Sequence, residues 1–289
     1  MCLALLVVGC SGDSRFEGTA EEQVDKGIQY LSIFNFEEGY HLLSHAQPLL
    51  TPDQDKWALA TYSLGVATWH KAPPTGESLK QAEALFRQVV ETKPESAYAA
   101  SALLDLGRLA EVSDYIDDPA DVDSARGYYE QVRSQFPGTE WSTRATLYLA
   151  QSKAQTFERD QVEEAVASLE AEIGRDPTGP WVGILSQYLA QLYAFYLDDP
   201  ANGLQAYERA VRAGLPRPVD EDMSLWQFAL LAEDAGEYQL AVELYRRIVH
   251  DFPRSIYGTV AEQRADKLVS EHPEIDRVFP DLSDAEALR

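Results

Sequence analysis

Apolar side chains in this chain recur three and four residues apart, the spacing that places them on one face of a helix. The pattern then repeats as a whole. With Ala82 as position zero, an aromatic follows at plus four (Phe86), Pro at plus twelve (Pro94) and Ser at plus fourteen (Ser96). An aromatic at plus sixteen (Tyr98) and Ala at plus twenty (Ala102) complete the set. The same columns return from Ala125 as Tyr129, Pro137, Thr139, Trp141 and Ala145, and from Ala241 as Tyr245, Pro253, Ser255, Tyr257 and Ala261. A weaker copy runs from Ala165 through Leu169, Pro177, Gly179 and Trp181 to Leu185. Two degenerate copies run from Gly39 through Leu43 to Pro52 and from Gly203 through Tyr207 to Pro216, with the Pro one residue late. Position zero thus falls at 39, 82, 125, 165, 203 and 241, giving steps of 43, 43, 40, 38 and 38 residues.

Each column has a physical reason. A small residue at zero lets two helices approach closely, and the residues at plus four and plus seven (Val89, Val132, Ile248) continue the same face. Pro at plus twelve stops the helix and biases the residue before it away from helical dihedrals. Ser or Thr at plus fourteen caps the next helix. The unit therefore reads helix A, loop, helix B, Pro stop. Helix A is predicted over about 20–33, 54–70, 97–112, 140–155, 181–197 and 220–235, and helix B over about 36–48, 79–92, 120–135, 161–174, 200–213 and 238–250. A final helix over about 256–271 closes the array, and no stretch alternates with period two for long enough to make a strand.

These residues resemble the tetratricopeptide repeat. Its Gly-x-Tyr-x-x-Ala entry to helix B matches Gly236, Tyr238 and Ala241; its earlier Gly and Tyr match Gly27 and Tyr30, with Phe36 and Gly39 opening helix B; its Leu-Gly pair on helix A matches Leu64-Gly65 and Leu106-Gly107. The units exceed the usual 34 residues, with the excess between helices A and B at 71–78 and 112–124. Their length would also suit HEAT repeats, against which the Gly-x-Tyr-x-x-Ala and Pro columns argue. The resemblance covers about 20–270. It implies an all-α fold: a right-handed α-solenoid of about six tetratricopeptide-like helix hairpins with a C-terminal capping helix, over residues 19–272, followed by a tail at 273–289.

The N-terminus adds a second signal. In MCLALLVVGCSGDS, the run Val7-Val8-Gly9-Cys10 resembles a bacterial lipobox, in which small residues precede a cysteine that becomes acylated. Residues 1–9 then read as a truncated lipoprotein signal, although they lack the basic start such signals carry, and residues 10–18 as a tether. Ser11 in place of Asp favours the outer membrane by the same resemblance. Together with the Pro-x-Ser-x-Tyr junctions, this resembles the tetratricopeptide lipoproteins of bacterial envelopes, such as that of the outer-membrane β-barrel assembly machinery.

Composition narrows the field further. The formal net charge of −24 makes nucleic acid an improbable partner and favours cationic ones. Cys2 and Cys10 are the only cysteines, so the repeats hold no disulfide and no thiolate metal site. Phosphate loops, nucleophile elbows and zincin motifs do not occur. His41 and His45, four apart, read as surface imidazoles, because residue 42 is Leu rather than a catalytic Glu. Asp114, Asp117, Asp118, Asp121 and Asp123 form an acidic loop without the Gly and closing Glu of an EF-hand. Its centre, Asp-Asp-Pro-Ala, recurs at 198–201, and in both copies Asp before Pro reads as a helix N-cap rather than an ion ligand. Tyr188, Tyr193, Phe195 and Tyr196 read as core.

The A helices of such an array line its concave side. The register there selects Asp105, Arg108, Tyr148, Gln151, Tyr188, Gln191 and Gln227, with Arg144 as a further cation. That mixture of polar and aromatic groups suits an extended peptide or a partner helix. The expected function is a non-catalytic protein–protein scaffold, binding other proteins or peptides and anchored to the envelope membrane through lipid on Cys10. The alternative is a soluble cytoplasmic adaptor or co-chaperone. No cofactor, metal or enzyme activity is expected.

Overall fold

The computed structural model describes residues 16–111, 120–214 and 221–275. Cys2, Cys10, most of the tether, the loop residues Asp114, Asp117 and Asp118, Pro216 and the chain beyond 275 lie outside the described residues. The chain is an all-α helical-repeat solenoid. Its helices are α1 (Ala20–Ser32), α2 (Phe36–Ala46), α3 (Trp57–His70), α4 (Gly76–Thr92), α5 (Ala97–Glu111), α6 (Val122–Gln135) and α7 (Glu140–Ala154). They continue as α8 (Arg159–Arg175), α9 (Val182–Gln191), α10 (Pro200–Ala213), α11 (Glu221–Asp234), α12 (Tyr238–Asp251) and α13 (Gly258–Glu271). No strand occurs among the described residues.

The chain divides into two compact units, Met1–Ala145 and Thr146–Arg289, with the boundary inside α7. In the first, α1 pairs with α2, α3 with α4 and α5 with α6, and each hairpin packs on the next through α2–α3 and α4–α5. In the second, α9 pairs with α10, α11 with α12, and α13 covers α12. Leu147, Ala150 and Ala154 of α7 share a core with Val162, Ala165 and Leu169 of α8. Pairing between helices adjacent in sequence is what a row of hairpins requires, since one hairpin cannot bury its own apolar stripe.

The columns read from the sequence are the core. Ala82, Ala125, Ala165 and Ala241 at position zero are fully buried, as are Leu43, Phe86, Tyr129, Leu169, Tyr207 and Tyr245 at plus four. Glycines on helix A make room for the plus-four side chain. A Cβ on Gly65 would lie 2.6 Å from the Phe86 ring, and one on Gly27 2.8 Å from Leu43. The Pro stop works through the residue before it: Lys93, Phe136, Asp176 and Phe252 leave helical dihedrals with φ between −140° and −123° and ψ between 50° and 77°. The plus-fourteen residues then cap, with Ser96 Oγ accepting from Ala99 N (3.1 Å) and Thr139 Oγ1 from Ser142 N (3.3 Å).

Four details depart from expectation. Helix α4 starts three residues before the predicted 79, because Thr75 and Ser78 form a reciprocal cap (Ser78 N to Thr75 Oγ1, 3.1 Å; Thr75 N to Ser78 Oγ, 2.9 Å). Helix α13 starts late, since Ser255 Oγ accepts from Tyr257 N and holds a turn ahead of the helix. The first Asp-Asp-Pro-Ala copy does not supply the cap of α6. Asp121 does, accepting from Ser124 N at 3.0 Å while its own N–H donates to Ala110 O of α5 (2.8 Å). In the second copy Asp199 caps Asn202 N (3.1 Å) with Pro200 opening α10, as expected. Finally, α9 ends in a π turn, Leu192–Tyr196. The wider turn rotates the face, so Tyr188 and Tyr193 pack on the core while Phe195 and Tyr196 face solvent.

Candidate interaction site

In the first unit the site grows from α3 and α5. Helix α3 is apolar around most of its circumference, and Tyr62 is a polar handle on it. Its ring packs at 5.7 Å from Phe86 and 6.2 Å from Tyr98, and its hydroxyl donates to Asp105 Oδ2 of α5 at 2.8 Å. Burial pushes the Asp105 carboxyl up to about 6; the Tyr62 bond and the positive charges of Arg144 and Arg108 pull in the opposite direction. Burial, and then the Asp105 charge, raise the Tyr62 hydroxyl above its ordinary range. Beside this pair, Trp141 Nε1 at the start of α7 donates to Ser101 Oγ of α5 (3.1 Å). One carboxylate, two guanidinium groups and three aromatic rings thus meet over the A helices of this unit.

The second unit has its own cluster. Tyr207, the plus-four residue of α10, sends its hydroxyl to Gln227 Oε1 of α11 (2.6 Å), and the Gln191 side chain bonds the same hydroxyl. Burial pushes Tyr207 up to about 12, and the Gln191 bond opposes that rise. Tyr188 is raised by burial and then by its neighbour Tyr196. Further along, Tyr245 donates to Glu233 Oε2 (2.7 Å), which also takes Arg264 Nη1 (2.8 Å). Trp226 lies under that guanidinium at 5.8 Å and stacks on Tyr257 at 5.3 Å. Arg209 makes a two-pronged pair with Glu170 (3.0 and 2.9 Å) and donates to Ser186 Oγ (3.1 Å).

Of the residues selected from sequence, Asp105 and Arg108 come together in the first unit, and Gln191 and Gln227 meet on Tyr207 in the second. Tyr188 sits beside Tyr196. Tyr148 and Gln151 are half-buried on α7. Sequence reasoning missed Tyr62, because an apolar helix offers no polar stripe to mark it. It also missed the Glu233–Arg264–Trp226 group, whose members come from two different A-type helices. His41 and His45 have separate partners: Glu37 at 3.2 Å for the first, Gln23 at 2.7 Å and the stacked Phe16 ring for the second.

A family model described as tetratricopeptide repeat matches residues 223–255, which span α11 and α12. Among solved structures, PilF of Pseudomonas aeruginosa is similar, with 17% identity and a TM-score of 0.56 over 87% of this chain and 97% of that one. PilW, a widely conserved type IV pilus biogenesis factor, has 14% identity and a TM-score of 0.59 over 84% and 98%. BtubC from P. vanneervenii has 15% identity and a TM-score of 0.51 over 92% and 95%. At these identities the likeness is one of fold. No curated protein matches the sequence.

Proposed function

We propose, on the premise that this chain is a tetratricopeptide-repeat protein, that it is a non-catalytic scaffold of the bacterial envelope, anchored through lipid on Cys10. The observation that carries the scaffold reading is the concentration of polar and aromatic side chains over the A helices. In one unit Tyr62 bonds Asp105 with Arg108 beside it, and in the other Gln191 and Gln227 of the A helices are both held by the buried Tyr207 hydroxyl. Such side chains fit an extended peptide, whose free backbone groups they can bond, or a partner helix, which meets them through its side chains. The lipobox-like Val7-Val8-Gly9-Cys10 supports the anchor, and the outer membrane is the destination that Ser11 favours by resemblance. The likeness in fold to PilW, a pilus biogenesis factor, supports a role in assembling an envelope structure.

Two experiments test this. Mass spectrometry of the protein recovered from native membranes is expected to find Cys10 acylated at a new N-terminus. An unmodified Cys10 in the soluble fraction overturns the anchor and leaves a soluble cytoplasmic adaptor. Pull-down from envelope extract is expected to lose its partners when Arg108→Glu or Tyr148→Ala is introduced, each scored separately. Undiminished capture by both variants moves the site off the A helices.

A further inference from the structure

Three aromatic side chains in the second unit are spent on solvent. Phe157, in the turn between α7 and α8, is 77% exposed, and Phe195 at the end of the π turn is 68% exposed. Tyr196 completes the group, its ring 5.5 Å from that of Phe157 and nearly parallel to it, at 15°. The backbone holds them there at a cost. Phe157 has φ of 57°, a region that bulky side-chain-bearing residues rarely adopt. A turn built only to link two helices would place Gly or Asn at such a position. A bulky ring held outward in a strained conformation is a feature to be explained by what it meets.

The charges around the rings select the occupant. Glu158 and Asp160 follow Phe157, and Asp198 and Asp199 follow Tyr196, all within three residues of the stacked pair along the chain. The cations of the same turn are already engaged: Lys153 with Glu164 at 2.8 Å and Arg159 with Glu163 at 2.8 Å. Aromatic faces beside an excess of carboxylates attract a cation twice, through the ring quadrupole and through the net charge. A guanidinium adds flat stacking to both. Nucleic acids and anionic membrane surfaces meet repulsion from the same carboxylates.

We infer that the α7–α8 turn and the end of α9 form a docking surface for an arginine-bearing polypeptide segment, the cationic side chains lying on Phe157 and Tyr196. This rests on the scaffold reading and adds to it a second surface, at the end of α9 beside Tyr188, with a partner of defined chemistry.

The test uses the full chain and a fluorescent peptide of alternating Arg and Gly, read by anisotropy. A peptide with citrulline in place of Arg serves as the uncharged counterpart. Phe157→Ala with Tyr196→Ala is expected to weaken binding of the Arg peptide roughly tenfold. Phe157→Leu with Tyr196→Leu, which keeps the apolar bulk, is expected to weaken it nearly as much. Ile256→Ala, which removes a side chain 85% exposed elsewhere in the same unit, is expected to change nothing. The citrulline peptide is expected not to bind. Affinity within twofold of the parent in both double variants, or equal binding of the citrulline peptide, overturns the inference. Partner capture from extract is measured separately, so loss of the peptide effect alone removes this surface and leaves the scaffold standing. Absence of any captured protein removes the scaffold whatever the peptide does.

Discussion

At the scale of single residues, close packing and burial decide what each position tolerates. Gly107 and Gly127 make the contrast. A Cβ on Gly107 would lie 2.3 Å from the buried Tyr129 ring, whereas one on Gly127, also inside a helix, meets nothing within 4 Å. Gly107→Ala is therefore expected to destabilise by roughly 1–3 kcal/mol through overpacking. Gly127→Ala is expected to stabilise by roughly 0.5–1 kcal/mol, because Ala loses less backbone freedom in a helix. Chemical denaturation of both variants checks the pair, and equal effects would mean that the α5–α6 contact is looser than described. Asp105 adds a pH dependence. Its carboxyl is raised to about 6 in the fold against 3.8 ordinarily, so the folded state holds the proton more tightly than the unfolded one. The favourable contribution is complete below about pH 4 and is lost as pH rises through about 6. Asp105→Asn keeps an acceptor for Tyr62 and carries no charge. It is expected to gain on the order of 1–2 kcal/mol over the parent at pH 7, after discounting for partial solvent contact and for Arg108 and Arg144, and nothing at pH 4. A parent-minus-variant difference that is flat from pH 4 to pH 7 would contradict the assignment.

At the scale of elements, the helices were legible where two independent signals coincided. The Pro at plus twelve and the small residue at zero both reappear in the structure, as the helix stop and as the buried crossing point. Boundaries were lost where one side chain could act in two ways. Ser78 falls in the loop predicted at 71–78, yet with Thr75 it starts α4 early. The column five before position zero shows the same ambiguity. Gly236, Phe34 and Asp198 all take positive φ there, at 81°, 60° and 56°, and only the first announces it in the sequence. The site clusters were half legible. The register found Asp105, Gln191 and Gln227, but hydrogen bonds between helices 20 or more residues apart, such as Tyr62–Asp105, leave no periodic trace. One column with two roles gives a direct test. Ser96 caps α5 through Ala99 N, while Ser255 bonds a residue that lies ahead of α13. Ser96→Ala is expected to cost about 1 kcal/mol and Ser255→Ala clearly less, measured as the shift in urea midpoint at constant slope. A larger loss from Ser255→Ala would mean that it acts as a true helix cap.

At the scale of the whole molecule, stability is distributed rather than centred. Each hairpin lends its plus-four side chain to a local core, so the free energy is close to a sum of hairpin terms and neighbour terms. In the second unit Tyr245 is fully buried, packs 5.5 Å from Trp226 and hydrogen-bonds Glu233 on the partner helix of its hairpin. Removing it opens a cavity and strands a bond shared with Arg264. Tyr245→Ala is thus expected to cost on the order of 3–5 kcal/mol. In a protein with one central core, such a loss would lower protection everywhere. In a row of hairpins it should fall on α11, α12 and α13, which contact one another, and spare α1 to α4 in the first unit. Hydrogen exchange read by mass spectrometry separates the two cases. Faster exchange confined to peptides from 221–275, with 20–92 unchanged, is the expected result. A uniform acceleration across both units would show that the hairpins share their stability, and the additive reading of the repeat would have to be given up.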